Sequence, residues 1–237
     1  NRILRECGAE LKFYPGLPLF FKQIKELIEN DSNYKSCDIR LEHYVVSTGF
    51  AETIQGSAIA PYVDGICGCE FIETPAPSGF IAEYSNSKEN EISQIAIALD
   101  NTSKTRYLFE INKGSNKFPE TIDVNSFIEP ENRRIPFRNM LYIADGPSDV
   151  PAFSILNNHQ GSTFAIYPKG DSKAFKQVEQ LRKDKRIETF GEADYSEGTH
   201  TWMWLTTRVK EIADGILKRH KDTLQKSSSV PPGHLSL

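Results

Sequence analysis

The sequence has no apolar run close to the ~20 residues that a membrane-spanning helix requires. Residues 1–7 lack the basic start, apolar stretch and small-residue cleavage site of a signal peptide. The formal net charge is −4, without the basic excess of a general nucleic-acid binder. There are four cysteines, and the spacing of Cys67 and Cys69 is not that of a zinc site. These absences predict a cytoplasmic protein with reduced thiols, no membrane span and no nucleic-acid partner.

The composition is that of a globular protein, with 25% charged and 38% hydrophobic residues in a chain of 237. Internal repeats, heptad seams and long low-complexity tracts are absent from the sequence. Short apolar runs instead alternate with amphipathic stretches, which is typical of a βαβ protein with a mainly parallel sheet. The pattern therefore predicts an α/β fold.

Apolar periodicity and Gly/Pro punctuation place the predicted elements along the chain. Helices are predicted over residues 17–28, 50–58, 92–112, 151–156, 172–182 and 200–225, the first after a break at Pro15-Gly16 and the third stopping at Gly114. Strands are predicted over residues 44–46, 65–72, 79–84, 140–144 and 163–167, with a loop over residues 113–134.

Ser47, Thr48 and Gly49 follow the strand over residues 44–46 and precede a predicted helix. A hydroxyl and several free backbone N–H groups at such a junction are suited to binding an anionic oxygen. Helix capping is the alternative interpretation for these residues. The pattern predicts a phosphate-binding loop at the end of a strand.

Asp145 and Asp149 lie four residues apart on a Gly-Pro loop that directly follows an apolar strand. Two carboxylates at the carboxyl end of a strand can converge on one hard cation such as Mg²⁺. The alternative is an Asx turn in which Asp149 caps the next helix. Lys104 lies between these two regions and supplies a positive charge, although a single lysine in a helix is usually solvated.

These residues occur in an order that resembles motifs II, III and IV of the haloacid dehalogenase (HAD) superfamily, closest to its phosphoserine-phosphatase-like branch. The resemblance covers roughly residues 14–170 and includes a Pro-Gly helix start before motif II. Ala144 stands where glycine commonly precedes the first aspartate of motif IV. The matching segments are Tyr44-Val45-Val46-Ser47-Thr48-Gly49-Phe50, then Lys104 with Lys113 as its rival, then Tyr142-Ile143-Ala144-Asp145-Gly146-Pro147-Ser148-Asp149.

The resemblance implies a Rossmann-like three-layer core and a magnesium-dependent phosphatase that acts on small phosphate monoesters through an aspartyl-phosphate. Ser47 and Lys104 would be catalytic, and both would bind the phosphoryl group together with Thr48 and Gly49. Asp145 would ligate Mg²⁺, with Asp149 in direct contact or behind it. The expected partner is a small phosphorylated substrate, whose identity the sequence leaves open together with the oligomeric state.

Motif I of this superfamily, Asp-x-Asp, supplies the nucleophile, and no two aspartates here are separated by a single residue. Asp38 and Asp64 do not match it. The expectation is that motif I and most of the cap lie upstream of this sequence. Residues 1–13 would then be a remnant of the cap or linker, residues 14–226 the hydrolase core and residues 227–237 a flexible tail.

Two other interpretations stay open at this point. One is a non-catalytic HAD-like phosphate-binding or regulatory protein that lost its nucleophile. The other is a generic doubly wound domain whose motif-like loops only cap helices. A dehalogenase is a further possibility within the superfamily, below a phosphatase in expectation.

Overall fold

The computed structural model describes residues 1–73 and 92–228, without the side chains of residues 226–228. It is a mixed α/β structure whose strand pairings are mostly parallel. The helices are α1 (Arg2–Gly8), α2 (Leu19–Glu29), α3 (Ser32–Ser36), α4 (Ala51–Gln55), α5 (Lys104–Lys113), α6 (Val150–Asn158), α7 (Ser172–Lys183) and α8 (His200–Ser228). The strands are β1 (Tyr44–Phe50), β2 (Gly65–Glu73), β3 (Ile92–Ile97), β4 (Leu141–Ala144), β5 (Ser162–Tyr167) and β6 (Thr189–Glu192).

The described strands form two three-stranded sheets. The first has the order β1-β2-β3, in which β1 and β2 are parallel and β3 is antiparallel to β2. The second has the order β4-β5-β6 and is parallel throughout. The α/β class is thus confirmed, while the described strands are divided between two sheets.

The helix predicted over residues 92–112 is wrong in its first half, because β3 occupies Ile92–Ile97 and α5 begins only at Lys104. Ile92 and Ile95 have helical spacing, but pairing with β2 decides the conformation. The C-terminal stop is confirmed, since Gly114 takes a left-handed conformation with φ of 93° after α5.

The other predicted elements agree in type and differ in length. The helix predicted over residues 50–58 is shorter, at Ala51–Gln55, and α8 continues to Ser228, into the predicted flexible tail. The short elements α1, α3 and β6 were not predicted. The strand predicted over residues 79–84 and most of the tail lie outside the described residues.

One hydrophobic cluster packs α2 and α8 against the second sheet. It contains Phe20, Ile24 and Ile28 of α2, Phe164 of β5 and Leu205 of α8. Side chains from before β1 and from β4 pack against the same cluster. The apolar faces predicted for α2 and α8 are therefore core faces, as periodicity indicated.

Candidate functional site

The candidate residues lie on or next to three elements, the strands β1 and β4 and the helix α5. Ser47 lies on β1, and Asp145 directly follows β4. Helix α5, which begins with Lys104, packs against both β1 and α6. Among the described strands, β1 pairs only with β2 and β4 only with β5, so each has one open side.

Lys104 and Asp149 form a buried ion pair. The Lys104 Nζ atom lies 2.7 Å from Asp149 Oδ1, and the exposed fractions of the two side chains are 8% and 4%. The two residues are 45 positions apart in the chain, with the loop before β4 between them, so the pair is a tertiary contact. Burying two charges is costly and contributes little net stability compared with apolar packing. The pair is therefore weak evidence of a stabilising role.

The Asp149 carboxylate accepts two further hydrogen bonds, from residues of β4 and of the loop that follows it. The Tyr142 hydroxyl donates to Oδ1 at 2.6 Å, and the Ser148 hydroxyl donates to Oδ2 at 2.9 Å. Asp149 occupies the N-cap position of α6, but its side chain makes no capping hydrogen bond. Helix capping is thus not what the Asp149 carboxylate does in this structure.

Asp145 differs from Asp149 in being exposed, and its carboxylate accepts no hydrogen bond among the described residues. Its negative charge acts on the half-buried Tyr142 and the buried Tyr195. Burial raises the pKa of Tyr142 most, followed by the hydrogen bond to Asp149 and the charges of Asp149 and Asp145. Burial also raises the pKa of Tyr195, with smaller contributions from Tyr14 and Asp145. Both phenols therefore stay protonated at neutral pH, and that of Tyr142 donates to Asp149.

Ser47, Thr48 and Gly49 form an irregularity within β1, and the predicted strand-to-loop change does not occur there. Val46 pairs with Cys67 and Phe50 with Cys69, so the intervening segment bulges out of register. The Ser47 hydroxyl accepts the backbone N–H of Gly49 at 3.0 Å. Bulges re-aim side chains and are common beside active sites. The backbone is thus irregular at the three residues predicted to bind phosphate.

The structure separates the two lysines that competed for motif III. The Lys113 Nζ atom donates to the carbonyl oxygens of Val124 and Ser126 at 2.5 and 2.7 Å. Lys113 thus stabilises the loop that follows α5. Lys104 pairs with Asp149 instead, which makes Lys104 the lysine of the candidate site.

The structure brings together only part of the predicted site by direct contact. Lys104 and Asp149 are joined, whereas the described hydrogen bonds connect neither Ser47 nor Asp145 to them. Tyr142 and Ser148 were missed as partners of Asp149. The contact of Ser148 could have been predicted, because Ser148 directly precedes Asp149 in the sequence. The contact of Tyr142 could not, because the sequence of an apolar strand does not indicate which side chain a tyrosine hydroxyl will contact.

The described residues contain no group of three or more His, Cys, Asp or Glu side chains that could hold a metal ion. Magnesium, however, is commonly bound by one or two carboxylates together with water and substrate phosphate. Asp145, which is exposed and accepts no hydrogen bond from the described residues, fits that requirement. Asp149 fits it poorly, because both of its oxygens already accept protein hydrogen bonds.

Comparison with known proteins gives one informative relative. The chain is 39% identical over 213 residues to a Borreliella burgdorferi protein described as an uncharacterized protein, and the alignment covers 88% of this chain and 70% of that protein. No protein-family model and no solved structure matches the chain. In the part of the chain that the structure describes, no helix is both long and apolar enough to cross a membrane.

Proposed function

The chain belongs to the same family as this Borreliella burgdorferi protein, and we propose that it is the greater part of a magnesium-dependent phosphatase with a Rossmann-like core. Its substrates would be small phosphate monoesters, hydrolysed through an aspartyl-phosphate whose nucleophile is not in this sequence. The observation that carries the proposal is the buried Lys104–Asp149 ion pair beside the exposed Asp145 at the end of β4.

The ion pair supports phosphoryl chemistry because it fixes a positive charge in a water-poor position. The Lys104 ammonium has three N–H donors, and Asp149 takes one of them. The remaining donors are available to phosphoryl oxygens. Lys104 is also the first residue of α5, where the helix macrodipole adds positive potential. Phosphoryl transfer depends mainly on such positioning and charge neutralisation.

Ser47 of β1 and Asp145, which directly follows β4, complete the proposed site. The Ser47 hydroxyl and the backbone N–H groups of the bulge would donate to the phosphoryl oxygens. Asp145 would hold Mg²⁺, which when bound would neutralise charge on the phosphate. Asp149 would keep Lys104 in place.

The open sides of β1 and β4 support the expectation that motif I comes from another strand. A parallel strand paired with both would join the two sheets into the single, mainly parallel sheet that the HAD resemblance implies. Such a strand would carry its own carboxyl end, and with it the Asp-x-Asp pair, between Ser47 and Asp145. A cytoplasmic location belongs to the same proposal, and the four free cysteines fit it.

The test uses the full-length gene product and measures phosphate release from p-nitrophenyl phosphate and small phosphate monoesters with and without Mg²⁺. We expect magnesium-dependent hydrolysis, and Asp145→Asn should lower it by about 100-fold or more, the loss typical of removing a key electrostatic group. Ser47→Ala should also lower it. Asp171→Asn is the matched control, because Asp171 caps α7 at an exposed position and asparagine caps equally well.

Two results would contradict the proposal. One is full activity in the Asp145→Asn variant. The other is absence of hydrolysis by the full-length protein with every monoester tried. Binding of inorganic phosphate without hydrolysis would favour the non-catalytic alternative.

A further inference from the structure

Tyr142 has a fixed ring and a hydroxyl directed at the candidate site. The ring packs edge-on against Phe153 of α6, with centroids 5.6 Å apart and an interplanar angle of 87°. It also packs against the clusters that β5, α5, α6 and α7 form. Because the ring is held on several sides, the position of its hydroxyl is set by the core.

The Tyr142 hydroxyl and the Lys104 ammonium share one oxygen of Asp149. They lie 2.6 and 2.7 Å from Oδ1, while Ser148 occupies Oδ2 at 2.9 Å. A carboxylate offers about four lone-pair positions, so protein donors use most of the capacity of this one. Its side chain is 4% exposed, which leaves little access for a hydrated cation.

The two carboxylates of the loop after β4 are therefore in opposite situations. Asp145 is exposed and accepts no hydrogen bond among the described residues. A cation that bound Asp149 would have to displace Lys104, Tyr142 or Ser148, and would bring a second positive charge next to the ammonium. Such a contact is disfavoured by electrostatic repulsion.

We propose that Tyr142 is a positioning residue that holds Asp149 as the anchor of the Lys104 ammonium, so that Asp145 binds the divalent cation and Asp149 does not. This inference rests on the proposed function for the role of the site. It adds a division of labour between the two aspartates and a role for Tyr142, which is not among the site residues predicted from the sequence. Tyr142 acts through Asp149 and Lys104, without touching the substrate.

The first experiment measures binding of Mn²⁺, as a probe for Mg²⁺, to the full-length protein by electron paramagnetic resonance. Asp145→Asn should weaken binding at least about tenfold, because it removes the free carboxylate. Asp149→Asn and Tyr142→Phe should stay within about threefold of the wild type, well below the effect of one lost interaction. Equal losses in Asp145→Asn and Asp149→Asn would overturn the inference.

The second experiment measures the affinity for inorganic phosphate by calorimetry at saturating Mn²⁺. Tyr142→Phe should weaken phosphate binding about tenfold, the equivalent of one hydrogen bond to a charged group, because Lys104 loses its fixed anchor. Tyr167→Phe is the matched control, since Tyr167 is a half-buried tyrosine of β5 whose hydroxyl makes no hydrogen bond among the described residues. Phosphate affinity within twofold of the wild type in Tyr142→Phe would overturn the inference.

Thermal unfolding of Tyr142→Phe and Tyr167→Phe separates positioning from general destabilisation. Both variants should remain folded at the assay temperature, with only Tyr142→Phe losing phosphate affinity. These binding measurements need no turnover, so a wild type that binds both ions without hydrolysis refutes the proposed function and leaves the inference standing. A folded wild type that binds neither ion refutes the inference as well.

Discussion

Replacing Lys104 by methionine tests how much free energy of unfolding is lost when Asp149 keeps its buried charge without its partner. Methionine retains most of the apolar length of lysine and removes the charge, which leaves the Asp149 carboxylate 4% exposed without its counter-ion. Breaking a buried pair from one side usually costs about 3–5 kcal/mol, because an uncompensated charge remains. Tyr142 and Ser148 still donate to Asp149, so we expect a loss near the lower limit, about 3 kcal/mol.

The assay is urea unfolding at pH 7.5 followed by circular dichroism, with the free energy of unfolding obtained by linear extrapolation. Lys173→Met on the exposed surface of α7 is the control and should change the free energy by less than about 0.5 kcal/mol. In the double variant Lys104→Met/Asp149→Asn, the asparagine oxygen can still accept the Tyr142 hydroxyl while the buried charge is gone. That variant should recover at least half of the lost stability.

A decrease in unfolding free energy below about 1 kcal/mol in Lys104→Met would refute this reasoning, because a decrease of that size is expected for an exposed ion pair. No recovery in the double variant would refute it equally, because the cost would then come from lost packing. Either result would remove the ion pair as an argument for a functional site.

Three further predictions concern the surroundings of the site. Burial lowers the pKa of His43 below 6.5. As the pH falls below 6.5, the unfolded chain therefore binds more protons than the folded one, and the free energy of unfolding decreases. His43→Gln should reduce the loss of unfolding free energy between pH 7.5 and 5.5, and an unchanged loss would contradict this prediction. Gly68→Ala would place Cβ 2.8 Å from the backbone of Gly49 and Ala51, so we expect urea unfolding to show about 1–3 kcal/mol of destabilisation. Phe153→Ala removes a fully buried ring and should lower the unfolding free energy by about 3–5 kcal/mol; a loss under 1 kcal/mol would show that the core there is loosely packed.

The parts of the fold that could be predicted are those in which one face of an element meets the core. Helix α2 buries Phe20, Ile24 and Ile28, so its period is visible in the sequence. Strand β3 gives no such signal, because all six of its residues are exposed and its conformation depends on pairing with β2. Local sequence could not decide between helix and strand for Ile92 and Ile95.

The sequence suggests individual candidate residues for the site, but it does not show the contacts between them. Ser47 and Asp145 each follow a short apolar run, which is a local feature that the sequence displays. The bond between Lys104 and Asp149 depends on how α5 packs against α6, which spacing along the chain does not encode. The hydrogen bond from the Tyr142 hydroxyl to Asp149 is equally hidden from the sequence, because it depends on the direction in which the Tyr142 side chain points.

The open sides of β1 and β4 also bear on how this chain behaves in solution. An unpaired strand side presents backbone N–H and C=O groups to any extended segment, and natural proteins normally protect such edges. All four residues of β4 are half-buried, whereas the first five of β5 are fully buried. Among the described residues no strand pairs with these two sides, so they are the edges at which another copy of the chain could add a strand. Its solubility at increasing concentration is therefore a physical measure of how completely its sheets are closed.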